Sequence, residues 1–531
     1  MLTMRGDLKL RTIPFLNRYS ALVALVPIIS YWPLVAFPYL LLDDNWLVRP
    51  SNPGYPSRRF IALSQGRPIL ALFSKAWEPL FSEFGLTSIA LLRALGLICV
   101  LLSGLVLFHL LNTQGQIPVA LSVICSSVFL TTPSIQILVA NGSWILPGLL
   151  TAMLGVHVLL KDEMRYRLIL GGTLTLVSIA TYQSFGFAMA ALILAILAVR
   201  GPIALRKTGF ALAILISTFL AYYILWRFAY RALNEQVHNI YNPMFSKSLD
   251  AVVSKAIDSV KFRPKMIFGF FAPNTNGSMA RPVVVIAQVC LVGMVVLQIA
   301  FQILKRRVLS HQFYAMLVSI LAAVAALVVG ETLIWFTSAW LSYTTMIGLT
   351  LSWLVLLTGV FHKVVRRRSS FHKIGWGSAT IVLIFTIIAS HGVVTAFSLP
   401  LWVNQQRVLA YATDRINASK LDGGGQVISC IIADIGSGAD PNYGIAEFSW
   451  TNAQPFYSYW NMRTLISMSG RDNDAISEIL VDPDGNLLSQ VGEGDFKKLC
   501  VTNDFLDLSS PSKFDLAQLT RLNKVRSESK P

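Results

Sequence analysis

Long apolar stretches separated by short polar segments fill the first 399 residues of the chain. A run of about 17–25 apolar residues is long enough to cross a bilayer as an α-helix. The pattern predicts about eleven such spans, at 21–41, 86–111, 117–133, 143–160, 168–181, 185–199, 208–228, 282–304, 313–334, 343–361 and 374–399. Between the first two, segment 67–84 has the pattern of an interfacial helix. The predicted fold class is an α-helical polytopic membrane protein.

The distribution of basic residues sets the orientation of the predicted spans. Residues 168–199 carry no charge and are long for one span but short for two. With a break at 182–184, the predicted inner loops hold 18 Lys and Arg in 60 residues, as the positive-inside rule requires. A single helix would place the basic clusters at 305–307 and 366–368 outside. The rule therefore favours two helices, eleven spans and a cytoplasmic amino terminus.

This orientation places three large segments outside: the loops 42–85 and 229–281, and the tail 400–531. The tail is rich in charged and turn residues around strand-like runs at 427–433 and 479–481. That composition is typical of a small mixed α/β domain. The predicted organisation is thus a transmembrane domain, 1–399, followed by an extracytoplasmic soluble domain, 400–531.

The overall composition agrees with a membrane protein. Of the 531 residues, 54% are hydrophobic and 13% charged, with mean hydropathy +0.59. Soluble domains have about 25% charged residues, so a soluble enzyme and a disordered chain are excluded. The net charge of +17 divides into +21 for residues 1–399 and −4 for the tail. Short basic loops explain this charge, and no nucleic-acid partner is needed.

Two of the five cysteines, Cys430 and Cys500, lie in the tail. If the tail faces an oxidising compartment, the two thiols are expected to form a disulfide. The alternative is a pair of unpaired cysteines in the core of the tail domain.

An acidic pair, Asp43-Asp44, follows the apolar run of the first span. Adjacent carboxylates close to a bilayer are costly unless they are solvated or paired. Arg58, Arg59 and Arg67 follow within 25 residues. One carboxylate can act as a general base towards an acceptor hydroxyl, and arginines can bind a phosphate. The alternative is an ordinary solvated helix end.

Other polar residues near predicted span ends extend this candidate site. Arg93, inside the second span, is either a phosphate contact or a snorkelling arginine. Tyr182 and Gln183 either bind substrate or only form the turn between two helices. Glu331, near the outer end of the ninth span, either faces the same cavity or is a solvated helix end. Trp46 lies directly after the acidic pair and is a candidate substrate contact.

Three short motifs carry a resemblance to a known family: Asp43-Asp44 after the first span, Gly66-Arg67-Pro68, and Tyr182-Gln183. Together they resemble the serotype-converting O-antigen glucosyltransferases of bacteria and their phages. These enzymes belong to the GT-C membrane glycosyltransferases. The resemblance covers roughly residues 20–360 and leaves the tail unmatched.

The resemblance implies transfer of a sugar, glucose in this family, from a polyprenyl-phosphate-linked donor to a surface polysaccharide or O-antigen acceptor. It implies inversion by single displacement at the outer face of a bacterial inner membrane. The predicted orientation of the spans, rather than the resemblance, places the tail in the periplasm or outside the cell. Asp43 would be the base, with Asp44 orienting the acceptor or a cation. Arg58, Arg59, Arg67 and Arg93 would bind the donor phosphate.

The cofactor stays unknown, because two adjacent carboxylates are too few ligands to argue for a divalent metal. Two other functions stay open. A transporter or flippase of lipid-linked saccharides would place broken helices and ionisable residues near the bilayer midplane. A scaffold that binds envelope partners would explain the tail but not the first outer loop.

Overall fold

The structure is a computed structural model. It describes residues 18–38, 62–63, 66–84, 86–141, 143–161, 166–233, 310–336 and 347–366, short stretches within 250–257 and 380–402, and strands at 427–432, 476–481 and 505–507. The helices are α1 Arg18–Ala36, α2 Pro68–Phe84, α3 Leu86–Thr113, α4 Val119–Leu130, α5 Pro133–Asn141, α6 Leu146–Leu160, α7 Arg167–Thr181, α8 Gln183–Arg200, α9 Leu205–Leu233, α10 Ser310–Phe336 and α11 Ile347–Arg366. Short 3₁₀ turns, Ser143–Ile145 and Gly201–Ala204, precede α6 and α9.

The described part of the chain belongs to an α-helical membrane protein. By length and composition, four of its helical stretches can cross a membrane, one of which, Gln183–Phe228, contains both α8 and α9; the number is five if the bent pair α4 and α5 is one span. The predicted spans overlap described helices, except that 282–304 lies outside the described residues and 374–399 is described only in pieces. The total of eleven spans therefore stays a prediction. The predicted interfacial segment 67–84 is a helix, α2.

The break at 182–184 predicted from the charge distribution is present. Helix α7 ends at Thr181, Tyr182 is extended with φ −155° and ψ 114°, and α8 begins at Gln183. The two helices fold back on each other at Tyr182, because a methyl group added at Gly186 would come 2.8 Å from Ile179 Cγ1. Two helices, not one, therefore occupy 168–199.

Helices α8 and α9 also form an antiparallel pair. The chain turns at Gly201, which has φ +69°. Glycine adopts this conformation without strain because it has no Cβ atom. The rings of Phe187 and Phe219 meet at 5.2 Å between centroids. The apolar stretch Gln183–Phe228 consequently runs in two directions rather than as one long helix.

Helix α8 is the centre of the bundle, in contact with α6, α7, α9, α10 and α11. Small residues allow the closest approach: a methyl group added at Gly348 of α11 would come 3.0 Å from the Cα atom of Ala188. Gly330 of α10 packs against the same part of α11. Such small residues let helix backbones approach closely in membranes, where packing drives association.

Prolines determine the end and the partners of α1. The sequence predicts a first span to residue 41, but α1 ends at Ala36, and this prediction is wrong because Pro38 disfavours the helical conformation just before it. Pro33 and Pro38 have no N–H, so the carbonyls of Ile29 and Leu34 lose their helical donors. The Ile29 carbonyl accepts from His391 Nδ1 at 2.8 Å, and the Leu34 carbonyl accepts from Arg93.

The described part of the tail is a parallel sheet of three strands. These are β1 Val427–Ile432, β2 Ile476–Val481 and β3 Phe505–Asp507, in the order β2-β1-β3. The predicted strand-like run at 427–433 overlaps β1, and the run at 479–481 belongs to β2. The rest of the tail lies outside the described residues, so the α/β domain stays a prediction.

Candidate functional site

The structure describes only part of the predicted site. Asp43, Asp44, Trp46, Arg58 and Arg59 lie outside the described residues, and so does Cys500, the predicted partner of Cys430 in β1. Glu331 belongs to α10, but its side chain is also outside them. The described members are Arg67, Arg93, Tyr182 and Gln183.

The Gly-Arg-Pro motif is a helix-terminating turn. Gly66 N donates to Leu63 O at 2.9 Å, and Arg67 N donates to Ala62 O at 2.7 Å. These are the two hydrogen bonds of a Schellman motif, in which glycine adopts a left-handed conformation. Gly66 has φ +69°. Pro68 then begins α2, where its fixed φ and missing N–H cost nothing.

The Gly66 carbonyl joins this turn to the α8–α9 pair. It accepts a hydrogen bond from Gln183 Nε2 at 2.7 Å and another from the Tyr222 hydroxyl. Trp226, one turn after Tyr222 on α9, donates from its indole Nε1 to the Leu63 carbonyl at 3.3 Å. Three donors from one end of the α8–α9 pair therefore hold the turn.

Arg67 stacks on Tyr182. The Arg67 guanidinium carbon lies 4.8 Å from the Tyr182 ring centroid, which is a cation–π contact. The Arg67 side chain is half-buried, and within the part of the chain that the structure describes its Nε atom has no hydrogen-bond partner. This contact brings together two motifs 115 residues apart in the sequence. An arginine so held presents a fixed positive charge at this end of the bundle.

Tyr182 forms the turn between α7 and α8. Its N–H donates to Ser178 O at 3.0 Å and its carbonyl accepts from Phe185 N at 3.0 Å. The ring is 8% exposed, with Arg67 on one face and the Phe185 ring 5.3 Å away. Sugar binding by Tyr182 and Gln183 stays a prediction.

Arg93 is buried within the bundle, with 1% exposure. Its Nη1 donates to Leu34 O in the last turn of α1 at 3.4 Å. A cation there also interacts favourably with the carbonyl end of the helix dipole. The snorkelling interpretation is wrong, since a snorkelling side chain extends its head to water. Phosphate contact by Arg93 stays a prediction.

Packing contacts place Arg93 and Tyr182 at the same end of the bundle. Gly96, one turn after Arg93 on α3, lies against Ser143 at the start of the 3₁₀ turn before α6. Gly148, near the start of α6, lies against Thr181, the residue before Tyr182. The exit of α1 and the Gly66 turn are consequently at this end too.

Tyr222 and Trp226 were not predicted from the sequence. They belong to a stretch that is apolar enough to be a span, where aromatic residues attract no attention. Their spacing of four residues places them on one face of α9, and that face is the signal that would have identified them.

His109 and His157 also meet, with ring centroids 5.2 Å apart between α3 and α6, but two imidazoles are fewer ligands than a zinc site uses.

The break between α4 and α5 carries a buried polar network. The Leu130 carbonyl accepts from the Tyr31 hydroxyl, and the Thr131 carbonyl accepts from Gln136 Nε2 at 2.9 Å. Gln136 Nε2 also donates to Ser390 Oγ at 3.1 Å. Side chains thus supply the donors that the break removes, as an interrupted helix in a membrane requires.

In comparisons with known proteins, no family model, no curated protein and no solved structure matches the chain. The resemblance therefore depends on the short motifs alone.

Proposed function

We propose that the chain is a membrane glycosyltransferase of the GT-C type. It moves a sugar, glucose by the resemblance, from a polyprenyl-phosphate donor to a surface polysaccharide or O-antigen acceptor on the outer face. The observation that supports this proposal is the contact of Gly66-Arg67 with Tyr182-Gln183. Two of the motifs that carry the family resemblance are thus in contact, at the predicted outer end of the bundle.

The described residues that flank the acidic pair in the sequence support this proposal. Pro38 follows α1, whose last turn contacts Arg93, and the chain re-enters the described part at Ala62, whose carbonyl is part of the Gly66 turn. Both ends of the intervening segment are therefore at one end of the bundle. Asp43 follows Pro38 by five residues, which extend at most about 18 Å.

The proposed reaction is a single displacement. The acceptor hydroxyl oxygen attacks the anomeric carbon, and a glycosidic C–O bond forms. The bond from that carbon to the phosphate oxygen breaks, and its electron pair leaves with the polyprenyl phosphate. The hydroxyl proton goes to the Asp43 carboxylate, which acts as the general base. Asp44 orients the acceptor.

Arg67 has a defined part in this reaction. Its guanidinium binds the donor phosphate and stabilises the negative charge that the leaving group gains. Because Tyr182 already restricts the side chain, less conformational entropy is lost when the phosphate binds. Arg58 and Arg59 are proposed to bind the same phosphate.

The test measures sugar transfer from a polyprenyl-phosphate sugar by the purified protein in detergent. Asp43→Asn keeps the shape of the side chain but removes the proton acceptor, so turnover should fall by about 10²–10⁴-fold. Asp250→Asn, an exposed acid elsewhere, is the matched control and should leave turnover unchanged. Full activity of both Asp43→Asn and Asp44→Asn would refute the site.

One observation favours a second candidate, a transporter of lipid-linked saccharides. The pair α4 and α5 bends by 51° in the middle of a possible span, and broken helices with polar networks are a feature of transporters. A transporter would move a labelled lipid-linked saccharide across vesicles without any glycosyl transfer. Transfer by the purified protein would exclude that interpretation.

A further inference from the structure

The peptide group between Gly66 and Arg67 is held at both ends. Its oxygen accepts from Gln183 on α8 and from Tyr222 on α9, while its nitrogen donates to Ala62 O at 2.7 Å. A peptide group is planar, so fixing its oxygen and nitrogen fixes the direction in which the chain enters the Arg67 Cα atom. The backbone origin of the Arg67 side chain is therefore set by two helices.

The guanidinium end of Arg67 is restricted separately, by the Tyr182 ring 4.8 Å from it. An arginine side chain has many rotamers and loses their entropy when it is held in one direction. Restriction at both the backbone and the guanidinium leaves few directions for the charge. The contacts therefore restrict the direction of the Arg67 guanidinium, and do not only attach the loop to the bundle.

An additional hydrogen bond attaches the Gly66 turn to α9. Trp226 holds the turn through the Leu63 carbonyl, and Leu63 in turn accepts from Gly66 N. Removing the Tyr222 hydroxyl alone thus leaves the Trp226 and Gln183 bonds in place. The loop should stay attached while the Gly66 peptide group gains freedom.

We propose that Tyr222 is a positioning residue for Arg67, acting together with Gln183. It acts through the Gly66 peptide group and directs the guanidinium towards the phosphate of a lipid-linked donor. This inference rests on the proposed function, and it deepens that function by adding a residue on α9 that touches neither donor nor acceptor.

The first experiment compares Tyr222→Phe with Tyr223→Phe, the same change one residue along the helix. Tyr223 accepts from Arg227 Nη1 at 3.4 Å. The loss of one hydrogen bond corresponds to about a 2- to 12-fold change in an equilibrium. Tyr222→Phe should therefore raise the KM for the donor by that factor with little change in kcat. Tyr223→Phe should change neither.

The second experiment repeats Tyr222→Phe in an Arg67→Ala background. If Tyr222 acts through Arg67, the second substitution should raise KM no further. Additive effects, which independent sites give, would overturn the inference while leaving the glycosyltransferase proposal intact. An equal fall in kcat and in the amount of folded protein would indicate a purely structural role and would also overturn it.

The third experiment separates this inference from the proposed function. Binding of a short-chain polyprenyl phosphate to the purified protein is measured by calorimetry for the same four variants and the wild type. Positioning is supported if Tyr222→Phe weakens binding in the wild-type background but has no further effect in the Arg67→Ala background. This result would count even if no sugar transfer is found. No binding by the wild type would overturn both the positioning role and the phosphate site.

Discussion

Replacing Gly66 with alanine tests the structural basis of the site directly. Gly66 has φ +69°, a conformation that costs other residues about 1–3 kcal/mol. A methyl group there would also come 3.0 Å from Gln183 Nε2 and 3.0 Å from atoms of the Trp226 ring. The backbone cost and the close contacts both destabilise the turn. The contacts also displace Gln183 and Trp226, the side chains that donate hydrogen bonds to it.

The expected result is a local loss of order. The amides of residues 66 and 67 donate to Leu63 O and Ala62 O, so their exchange with solvent reports the turn. A cost of about 1–3 kcal/mol corresponds to about a 5- to 150-fold faster exchange. Hydrogen exchange of peptides covering 62–71, followed by mass spectrometry in detergent, measures it.

Gly209→Ala is the matched control. Gly209 lies in α9 and has no atom within 4 Å of an added methyl group. Its replacement should leave exchange at 62–71 unchanged and favour the helix by up to about 1 kcal/mol. If Gly66→Ala exchanges at the wild-type rate, then the left-handed turn and its contacts do not hold Arg67, and the reasoning fails.

Three further predictions concern stability and topology. Arg93→Ala should lower the unfolding temperature in detergent more than Arg93→Met, because methionine fills the space while both lose the bond to Leu34; equal temperatures would contradict this. A reporter active only in the cytoplasm, fused after residue 531, should be silent, and a strong signal would refute the predicted orientation. Cys430 and Cys500 should react with a thiol reagent only after reduction; labelling of the unreduced protein would disprove the disulfide.

Properties that depend on local sequence were predicted well. Apolar length located most of the described helices, α5 excepted, and the charge distribution placed a break where Tyr182 is extended. The turn at Gly66 was not predicted, although it depends on glycine and proline chemistry that acts within a few residues.

Partners that are distant in sequence could not be predicted. Tyr222 lies 156 residues from Gly66, and its contact depends on how α8 and α9 pack. The end of α1 was misjudged because apolar composition continues to residue 42 while Pro38 ends the helix at Ala36. Arg93 has a carbonyl of α1 as its partner because α1 ends close to it, which the sequence does not show.

The prolines of α1 have a consequence for biogenesis. This helix is synthesised long before its partner, because the donor for its Ile29 carbonyl, His391, is 362 residues later in the chain. At about 5–20 residues per second, translation of that length takes roughly 20–70 s. During that interval the carbonyl has to be satisfied by water or by the insertion machinery. Completion of α1 is thus a late event of synthesis, and a ribosome that stalls before codon 391 leaves an inserted helix with an exposed acceptor for quality control to recognise.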